Sequence, residues 1–200
     1  MRKAKNKICI IGLGFVGLTL ATVMANRGYK VYGVEKNKLI LNKLKQNKSH
    51  FFEPGLSNNL FRIIKNKSFQ FSKHIPKIKG ISTYIVTVGT PLNNNKKILI
   101  SYISRATKQI AKVIDERDLV ILRSTVKIGT TRNIVYPILK RTKKKFSLAF
   151  CPERAVEGSA LKELNYLPQV IGGIDKKSIQ LSVRIFKKIT KKIVVTSNVE

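Results

Sequence analysis

The amino-acid sequence predicts an α/β fold with a doubly wound, mostly parallel sheet. Apolar runs of strand length alternate along the chain with segments of helical period. The strand-length runs are apolar at nearly every position, which is typical of parallel strands covered by helices on both faces. With 200 residues, of which 43% are hydrophobic, the chain can bury one substantial core. We therefore expect a single domain over residues 1–200.

Seven runs are expected to form the strands, and two helices are clearly marked between them. The predicted strands are Ile8–Ile11, Val31–Val34, Tyr84–Val88, Leu119–Leu122, Phe146–Phe150, Val170–Ile171 and Ile193–Val195. One helical face carries Ile103, Thr107, Ile110 and Ile114, and a second carries Ile179, Val183 and Phe186 behind an N-cap at Asp175. The polar patch Asn93–Lys97 is predicted to be a surface loop.

A glycine-rich turn follows the first predicted strand directly. It reads Gly12-Leu13-Gly14-Phe15-Val16-Gly17 and leads into a helix that we expect to end near Gly28. The first glycine permits a tight turn, the second lets the backbone approach a pyrophosphate, and the third lets helix and strand pack closely. The free N–H groups at the start of the helix favour an anion. This pattern predicts a Rossmann-like dinucleotide site that includes Phe15 and Val16.

An acid at the end of the second strand indicates which dinucleotide binds. Glu35 lies close to the roughly 20 positions past the last glycine that are expected for a ribose-binding acid. Its carboxylate would accept hydrogen bonds from the ribose hydroxyls and repel a 2′-phosphate, so the predicted cofactor is NAD rather than NADP. The neighbouring cations Lys36 and Lys38 reduce that preference. The alternative is a glycine turn that serves packing only, with a surface acid at position 35.

The charge is strongly positive, with 40 Lys and Arg against 10 Asp and Glu, a formal net charge of +30. Such a field attracts phosphates, nucleic acid and acidic lipid surfaces. The lysines are spread along the chain without the aromatic or Gly-Arg interleaving of many nucleic-acid proteins, so we interpret them as a solvated surface and expect no specific nucleic acid as a partner.

No run approaches the roughly 20 apolar residues of a membrane span. Two cysteines without disulfide or metal spacing favour a reducing, cytoplasmic setting and no metal site.

Four further segments are difficult to explain by packing alone, and three of them follow predicted strands, where open α/β sheets bind ligands. They are Glu53-Pro54-Gly55-Leu56, Val88-Gly89-Thr90-Pro91, Ser124 to Thr131 and Cys151 to Leu161. In the order and spacing of these motifs, together with the glycine turn and Pro168 to Gly173, the chain resembles the UDP-glucose/GDP-mannose dehydrogenase family. The resemblance extends from the first strand to the last residue.

The resemblance implies an NAD-dependent oxidation of the C6 alcohol of a nucleotide-linked hexose to a carboxylate, with two NAD consumed. It implies a catalytic pair, Thr125 and Glu153, that positions water and assists proton transfer. It implies that Glu157 lies near the substrate, a UDP-hexose or UDP-N-acetylhexosamine. It implies the cofactor-binding residues Gly12, Gly14, Gly17 and Glu35 of the motif, together with Val88, Gly89, Thr90, Ser124 and Thr125.

Two candidate site residues, Thr125 and Arg154, have alternative interpretations. Thr125 could be a strand-end hydroxyl that caps the following helix. Arg154 could meet a substrate anion, pair with Glu153 or be solvated. For Glu153 no packing purpose is evident from the sequence. The chain departs from the family pattern at Lys127, where proline is common. Its Cys-Pro-Glu-Arg form looks like the branch that acts on UDP-N-acetylhexosamines or their uronates.

The resemblance also places several functional elements outside these 200 residues. The family's thiohemiacetal-forming cysteine, lysine and catalytic aspartate belong to a central helix and a second, UDP-binding domain, and a homodimer is expected only with that central helix. Cys151 matches no nucleophile motif. We therefore expect a part of an enzyme that is inactive alone. The alternatives are a non-catalytic nucleotide-binding remnant and a basic nucleic-acid-binding protein on a Rossmann scaffold.

The solvated-surface interpretation of the charge predicts weak, sequence-independent DNA binding that is lost by about 200 mM salt, because such binding comes from counterion release. Electrophoretic mobility or anisotropy with two unrelated duplexes across a salt series measures this. Tight binding to one sequence that survives that salt concentration would favour the nucleic-acid alternative instead.

Overall fold

A computed structural model describes residues 6–92 and 99–199, so the predicted loop Asn93–Lys97 lies outside the described residues. Within them, eight strands form one sheet and seven α-helices cover it. The strands are β1 (Lys7–Ile11), β2 (Lys30–Val34), β3 (Phe69–Ser72), β4 (Ile81–Val86), β5 (Leu119–Leu122), β6 (Ser147–Phe150), β7 (Gln169–Gly173) and β8 (Ile193–Val195). The helices are α1 (Phe15–Asn26), α2 (Lys38–Lys45), α3 (Leu56–Lys65), α4 (Ser101–Ala111), α5 (Tyr136–Lys140), α6 (Ala160–Tyr166) and α7 (Lys176–Phe186).

The strand order is β3-β2-β1-β4-β5-β6-β7-β8. All neighbouring strands are parallel except β6 and β7, which are antiparallel. The chain builds the sheet outward from β1 in one direction, then crosses to β4 and builds it in the other. The order of strands therefore reverses between β1 and β4, which is where open α/β sheets bind ligands.

Side chains alternate between two cores because successive strand residues point to opposite faces. In β1, Ile8 and Ile10 enter the core beneath α1, α3, α6 and α7. Cys9 and Ile11 enter the opposite core, beneath α4 and α5. Helices on both faces confirm the predicted doubly wound, mostly parallel α/β fold. No helix of the described residues has both the length and the apolar character needed to cross a bilayer.

The differences from the predicted elements have simple causes. The missed strand β3 is short and lies at the sheet edge, and the sequence of Phe69–Ser72 mixes aromatic with polar residues. Strand β4 ends at Val86 rather than Val88 because the chain there leaves the sheet to border a cleft. Ile114 is buried with the face predicted for α4 but lies beyond the helix end at Ala111. The Asp175 carboxylate accepts from the Ser178 N–H at 2.6 Å, which confirms that N-cap.

A π-helical turn, Thr131–Val135, separates β5 from α5. Pro137 stands in the first turn of α5 and has no N–H to offer the preceding carbonyls. A proline disturbs the regular hydrogen-bond ladder of the turn before it, and a widened turn accommodates that. The segment between Thr125 and this turn therefore leaves the sheet as an irregular loop at its carboxyl edge.

Candidate cofactor and substrate site

A cleft of about 510 Å³ opens at the carboxyl edge of the sheet, at the point where the strand order reverses. The ends of β1, β2 and β4 form its floor and α4 forms one wall. Its lining residues are Ile11, Gly12, Gly14, Val34, Glu35, Lys36, Asn37, Thr87, Val88, Gly89, Tyr102, Ala106 and Gln109. The structure thus brings together five of the predicted cofactor residues, Gly12, Gly14, Glu35, Val88 and Gly89.

The three motif glycines have three different environments. Gly12 has φ +95°, a left-handed conformation that side chains disfavour. A Cβ on Gly17 would lie 1.8 Å from the carbonyl oxygen of Gly12 and 2.7 Å from the Thr87 hydroxyl, so the helix start contacts the turn without room for a methyl group. A Cβ on Gly14 would meet no heavy atom within 4 Å. Gly14 is therefore the position open to a ligand.

The N-terminus of α1 adjoins this open position. Gly14 precedes the helix and no side chain caps it, and the first turn contains no acid. The first N–H groups of a helix, here those of Phe15 and Val16, have no intrahelical partner and carry a partial positive charge. The ring of Phe15 is held edge-on against Phe51, with centroids 5.2 Å apart. These N–H groups are available to a pyrophosphate.

Glu35 is fixed by the backbone of the cleft. Its Oε2 accepts from the Leu13 N–H at 2.8 Å and its Oε1 accepts from the Asn37 N–H at 2.8 Å. An ionised carboxylate has about four acceptor positions, so roughly two remain for ribose hydroxyls. The acid therefore supports the glycine turn and can also bind a sugar.

The sequence motifs did not identify the residues of α4 that form one wall of the cleft. Tyr102, Ala106 and Gln109 line the cleft. They recur at intervals of four and three residues, next to the buried face at Ile103 and Ile110, so they form a second stripe on the same helix. That spacing could have identified them, but only with the position of α4 known.

Ser124 and Thr90 connect the strand ends and do not line the cleft. The buried Ser124 hydroxyl donates to the Val88 carbonyl at 2.7 Å. The Thr90 hydroxyl donates to the Thr125 carbonyl at 2.8 Å. In the described residues the Thr125 hydroxyl makes no hydrogen bond and is exposed, so the capping alternative is not observed. Thr125 instead offers its hydroxyl to solvent at the carboxyl edge of the sheet.

Glu153 is held by an arginine that the sequence analysis did not identify. Arg123 donates from Nε to Glu153 Oε2 at 3.0 Å and forms a second, closer contact to the same oxygen from Nη2. Its Nη1 donates to the Cys151 carbonyl at 3.0 Å and to the Gln169 side chain at 2.7 Å. The guanidinium lies 5.1 Å from the centre of the Phe186 ring. Arg123 is 1% exposed, so every donor of the fork faces protein.

The expectation that Glu153 has no packing purpose is therefore wrong. Oε2 takes two donors from Arg123, and Oε1 accepts from the N–H groups of Arg154 at 2.7 Å and Ala155 at 2.8 Å. These four donors fill the acceptor positions of a carboxylate. The partner of Glu153 is Arg123, and Arg154, which also lies in this loop, contributes only its backbone while its side chain is exposed. Removing one member would leave a buried charge, at a cost of about 3–5 kcal/mol.

Two further acids hold the loop that follows Glu153. Glu53 is 5% exposed and accepts from the N–H groups of Gly158 at 2.9 Å and Leu161 at 3.0 Å. Glu163 Oε2 accepts from the Val156 N–H at 2.7 Å. That N–H, with a smaller contribution from the Ser159 hydroxyl, lowers the pKa of Glu163 below its usual value.

Glu157 differs from all of these acids. Its side chain is exposed and makes no hydrogen bond or ion pair within residues 6–92 and 99–199. It lies between Val156 and Gly158, whose N–H groups are both held. The structure thus presents one unengaged carboxylate on a loop that is otherwise fixed.

Neither cysteine can act as the nucleophile of an oxidation. Cys9 and Cys151 are both 0% exposed. Burial raises the pKa of each thiol to about 12, although Arg123 opposes the shift at Cys151. A thiol must be deprotonated and accessible to attack a carbonyl. Within the described residues no group of three or more His, Cys, Asp or Glu is placed to hold a metal ion.

Comparison with known proteins agrees with this geometry. The sequence profile of the "UDP-glucose/GDP-mannose dehydrogenase family, NAD binding domain" matches residues 6–190. The chain belongs to this family. It is 36% identical over 197 residues to the UDP-N-acetyl-D-mannosamine dehydrogenase of Methanococcus vannielii, an alignment that covers 96% of this chain and 44% of that protein. The chain thus spans less than half the length of this curated relative.

Solved structures give the same result. The UDP-D-ManNAc dehydrogenase of Pyrococcus horikoshii superposes with a TM-score of 0.91 at 29% identity, covering 96% of this chain and 47% of that one. A ternary complex of GDP-mannose dehydrogenase from Pseudomonas aeruginosa superposes with a TM-score of 0.89 at 30% identity, covering 96% and 46%. NAD is the cofactor of this domain, and the open position at Gly14, the free helix N-terminus and Glu35 fit it.

The glycine environments predict opposite effects for two alanine substitutions. Gly17→Ala should lower the free energy of unfolding by about 3 kcal/mol, because the new methyl group would overlap a backbone carbonyl. Gly14→Ala should change it by less than about 1 kcal/mol yet weaken NAD⁺ binding by on the order of tenfold. Denaturant unfolding and calorimetric titration measure the two quantities. Equal stability losses for both variants would show that the turn is not built as described.

Glu35→Ala is expected to weaken NAD⁺ binding by about 1–3 kcal/mol, the scale of hydrogen bonds to a charged group. It should also narrow the preference for NAD⁺ over NADP⁺, because the charge that repels a 2′-phosphate is removed. Calorimetric titration with both cofactors measures this, and Glu116→Ala at the amino edge of the sheet is the matched control. If the wild-type chain binds both cofactors equally, Glu35 does not select at the ribose.

Proposed function

We propose that this chain is the cofactor-binding part of an NAD-dependent nucleotide-sugar 6-dehydrogenase that oxidises the C6 alcohol of a UDP-N-acetylhexosamine, or of a related UDP-hexose, to the uronate. The observation that carries the proposal is the pairing of two sites at one edge of the sheet. The glycine turn with Glu35 forms the first, and the loop with the unengaged Glu157 forms the second. The names of the relatives and the Cys-Pro-Glu-Arg form support the N-acetylhexosamine class.

The strand register supports a joint role for Thr125 and the loop after β6. Leu122 and Phe150 are paired in adjacent parallel strands. Thr125 and Glu153 each lie three residues beyond those partners, so the two segments leave the sheet side by side. Arg123 also joins them directly through Glu153. A substrate alcohol bound between the segments would meet the Thr125 hydroxyl and nearby carboxylates.

Oxidation of an alcohol requires a proton acceptor while hydride leaves for the nicotinamide, which supplies the two-electron acceptor when bound. Thr125 and Glu153 are the proposed pair that holds a water and moves the proton. The four acceptor positions of Glu153 are already filled, so its carboxylate can accept a proton or hold a water only after it releases a backbone N–H. Glu157 needs no such release, and we propose that it contacts the sugar and shares the proton transfer. Arg154, with its exposed guanidinium, is proposed to meet a substrate anion.

The second oxidation step needs a nucleophile that these residues do not supply. A thiohemiacetal requires an accessible thiolate, and both cysteines are buried with a pKa near 12. We therefore propose that complete turnover requires residues beyond these 200, as the relatives' greater length suggests. The two free thiols agree with a reducing, cytoplasmic setting.

The 200-residue chain alone is expected to produce no sustained NADH from UDP-N-acetylhexosamines or UDP-glucose. Turnover should appear when the remaining part of a relative is supplied as a second polypeptide. In that system Thr125→Ala and Glu153→Gln should lower kcat on the order of 100-fold, the scale of lost general acid–base catalysis.

The matched control for that assay is Glu116→Gln, which removes an acid distant from the cleft and should leave kcat unchanged. NADH absorbance measures all variants. Two NADH per sugar from the chain alone would contradict the need for further residues. Unchanged kcat in Thr125→Ala and Glu153→Gln would remove the pair from the reaction.

A further inference from the structure

The loop between β6 and α6 is held through its backbone by carboxylates to an unusual extent. The N–H groups of residues 154, 155, 156 and 158 are all accepted by glutamate side chains, although the segment is neither helix nor strand. The chain has 10 acids against 40 cations, so this loop takes three of the few carboxylates available, Glu53, Glu153 and Glu163. Residue 157 lies inside the held stretch and is the acid whose own carboxylate is unengaged.

Two buried charged residues provide the long-range anchors. Arg123 comes from the end of β5 and fixes Glu153, 30 positions later. Glu53 comes from the connection between α2 and α3 and reaches residues more than 100 positions away, Gly158 and Leu161. Glu163, by contrast, is only partly buried and contacts the nearby Val156 N–H. A buried charge is costly unless its hydrogen-bond positions are filled, so moving the loop away from either anchor would leave a buried charge without its partners.

We propose that Arg123 and Glu53 are positioning residues: through the backbone of residues 153–161 they fix the direction in which the Glu157 carboxylate meets the nucleotide-linked sugar. Arg123 sets the start of the loop and Glu53 sets the residue directly after Glu157. This inference rests on the proposed function for the role of Glu157, while the anchoring itself stands on the contacts. Neither anchor lines the cofactor cleft, so neither is expected to bind NAD.

Site-resolved amide hydrogen exchange on the 200-residue chain tests the anchoring without any turnover. Arg123→Lys keeps the charge but loses the planar fork, and should speed exchange at the amides of Arg154 and Ala155 by tenfold or more. Glu53→Gln should do the same at Gly158 and Leu161. In both variants the amides of Leu13 and Asn37, held by Glu35, serve as internal controls and should not change.

Calorimetric NAD⁺ titration of the same variants separates this inference from the proposed function. A variant that binds NAD⁺ with wild-type affinity, and whose amide exchange is faster only at the loop amides of its own anchor, supports the positioning role. Exchange that rises equally at the Glu35-held amides would show a global stability effect and overturn it. Unchanged exchange at all four loop amides would also overturn it. Failure of the wild-type chain to bind NAD⁺ would count against the proposed function while leaving the exchange result interpretable.

A double-mutant cycle then tests whether Glu53 acts through Glu157. It uses the 200-residue chain together with the second polypeptide that supplies the remaining part of a relative. If Glu53 acts by aiming that carboxylate, Glu53→Gln should lower kcat in the wild-type background with the KM for NAD⁺ unchanged. In the Glu157→Gln background it should lower kcat no further. Glu53→Asp, which keeps a carboxylate, should restore part of the activity. An equal loss of kcat in both backgrounds would show that Glu53 only stabilises the fold.

Discussion

Hydrogen bonds from backbone N–H groups to glutamate carboxylates fix the loops at the carboxyl edge of this sheet. Glu35 holds the glycine turn and the start of α2, and Glu53 with Glu153 holds the loop after β6. Loops lack the repeating partners of helices and strands, so their N–H groups need other acceptors. A charged acceptor forms a stronger bond than a neutral one. The geometry of both candidate sites depends on these contacts.

The same use of acids explains the electrostatics of the chain. Two ion pairs occur among the described residues, one buried and one exposed. With 40 cations against 10 acids, most cations have no carboxylate to pair with. The lysines that follow α7, Lys187, Lys188, Lys191 and Lys192, border a basic cleft with Arg27 and Tyr166. The resulting field attracts phosphate-bearing ligands in general. We propose that selection among them comes from the glycine turn and Glu35, whose backbone geometry adds shape to the recognition of charge.

The sequence predicted those parts of the site that depend on short-range spacing. The glycine turn and Glu35 follow a fixed local pattern, and the structure brings Gly12, Gly14 and Glu35 together at the cleft. The partnership of Arg123 with Glu153 and Gln169 joins residues 30 and 46 positions apart, and Glu53 reaches farther still. No local sequence pattern identifies such pairs, because the order of strands in the sheet determines which strand ends become neighbours. Strand β3 was missed for a related reason, since its pairing with β2 rather than its composition makes it a strand.

The geometry of the cleft predicts that NAD⁺ binds on the glycine turn, where the strand order reverses. Amide chemical shifts of the isotope-labelled chain during NAD⁺ titration test it most directly. Binding there should give saturable shifts centred on Leu13, Gly14, Phe15, Val16 and Asn37, with little change at residues 187–192. Shifts centred on the basic cleft at residues 187–192, with the glycine turn unaffected, would contradict binding at the glycine turn and indicate that the charge alone recruits the nucleotide.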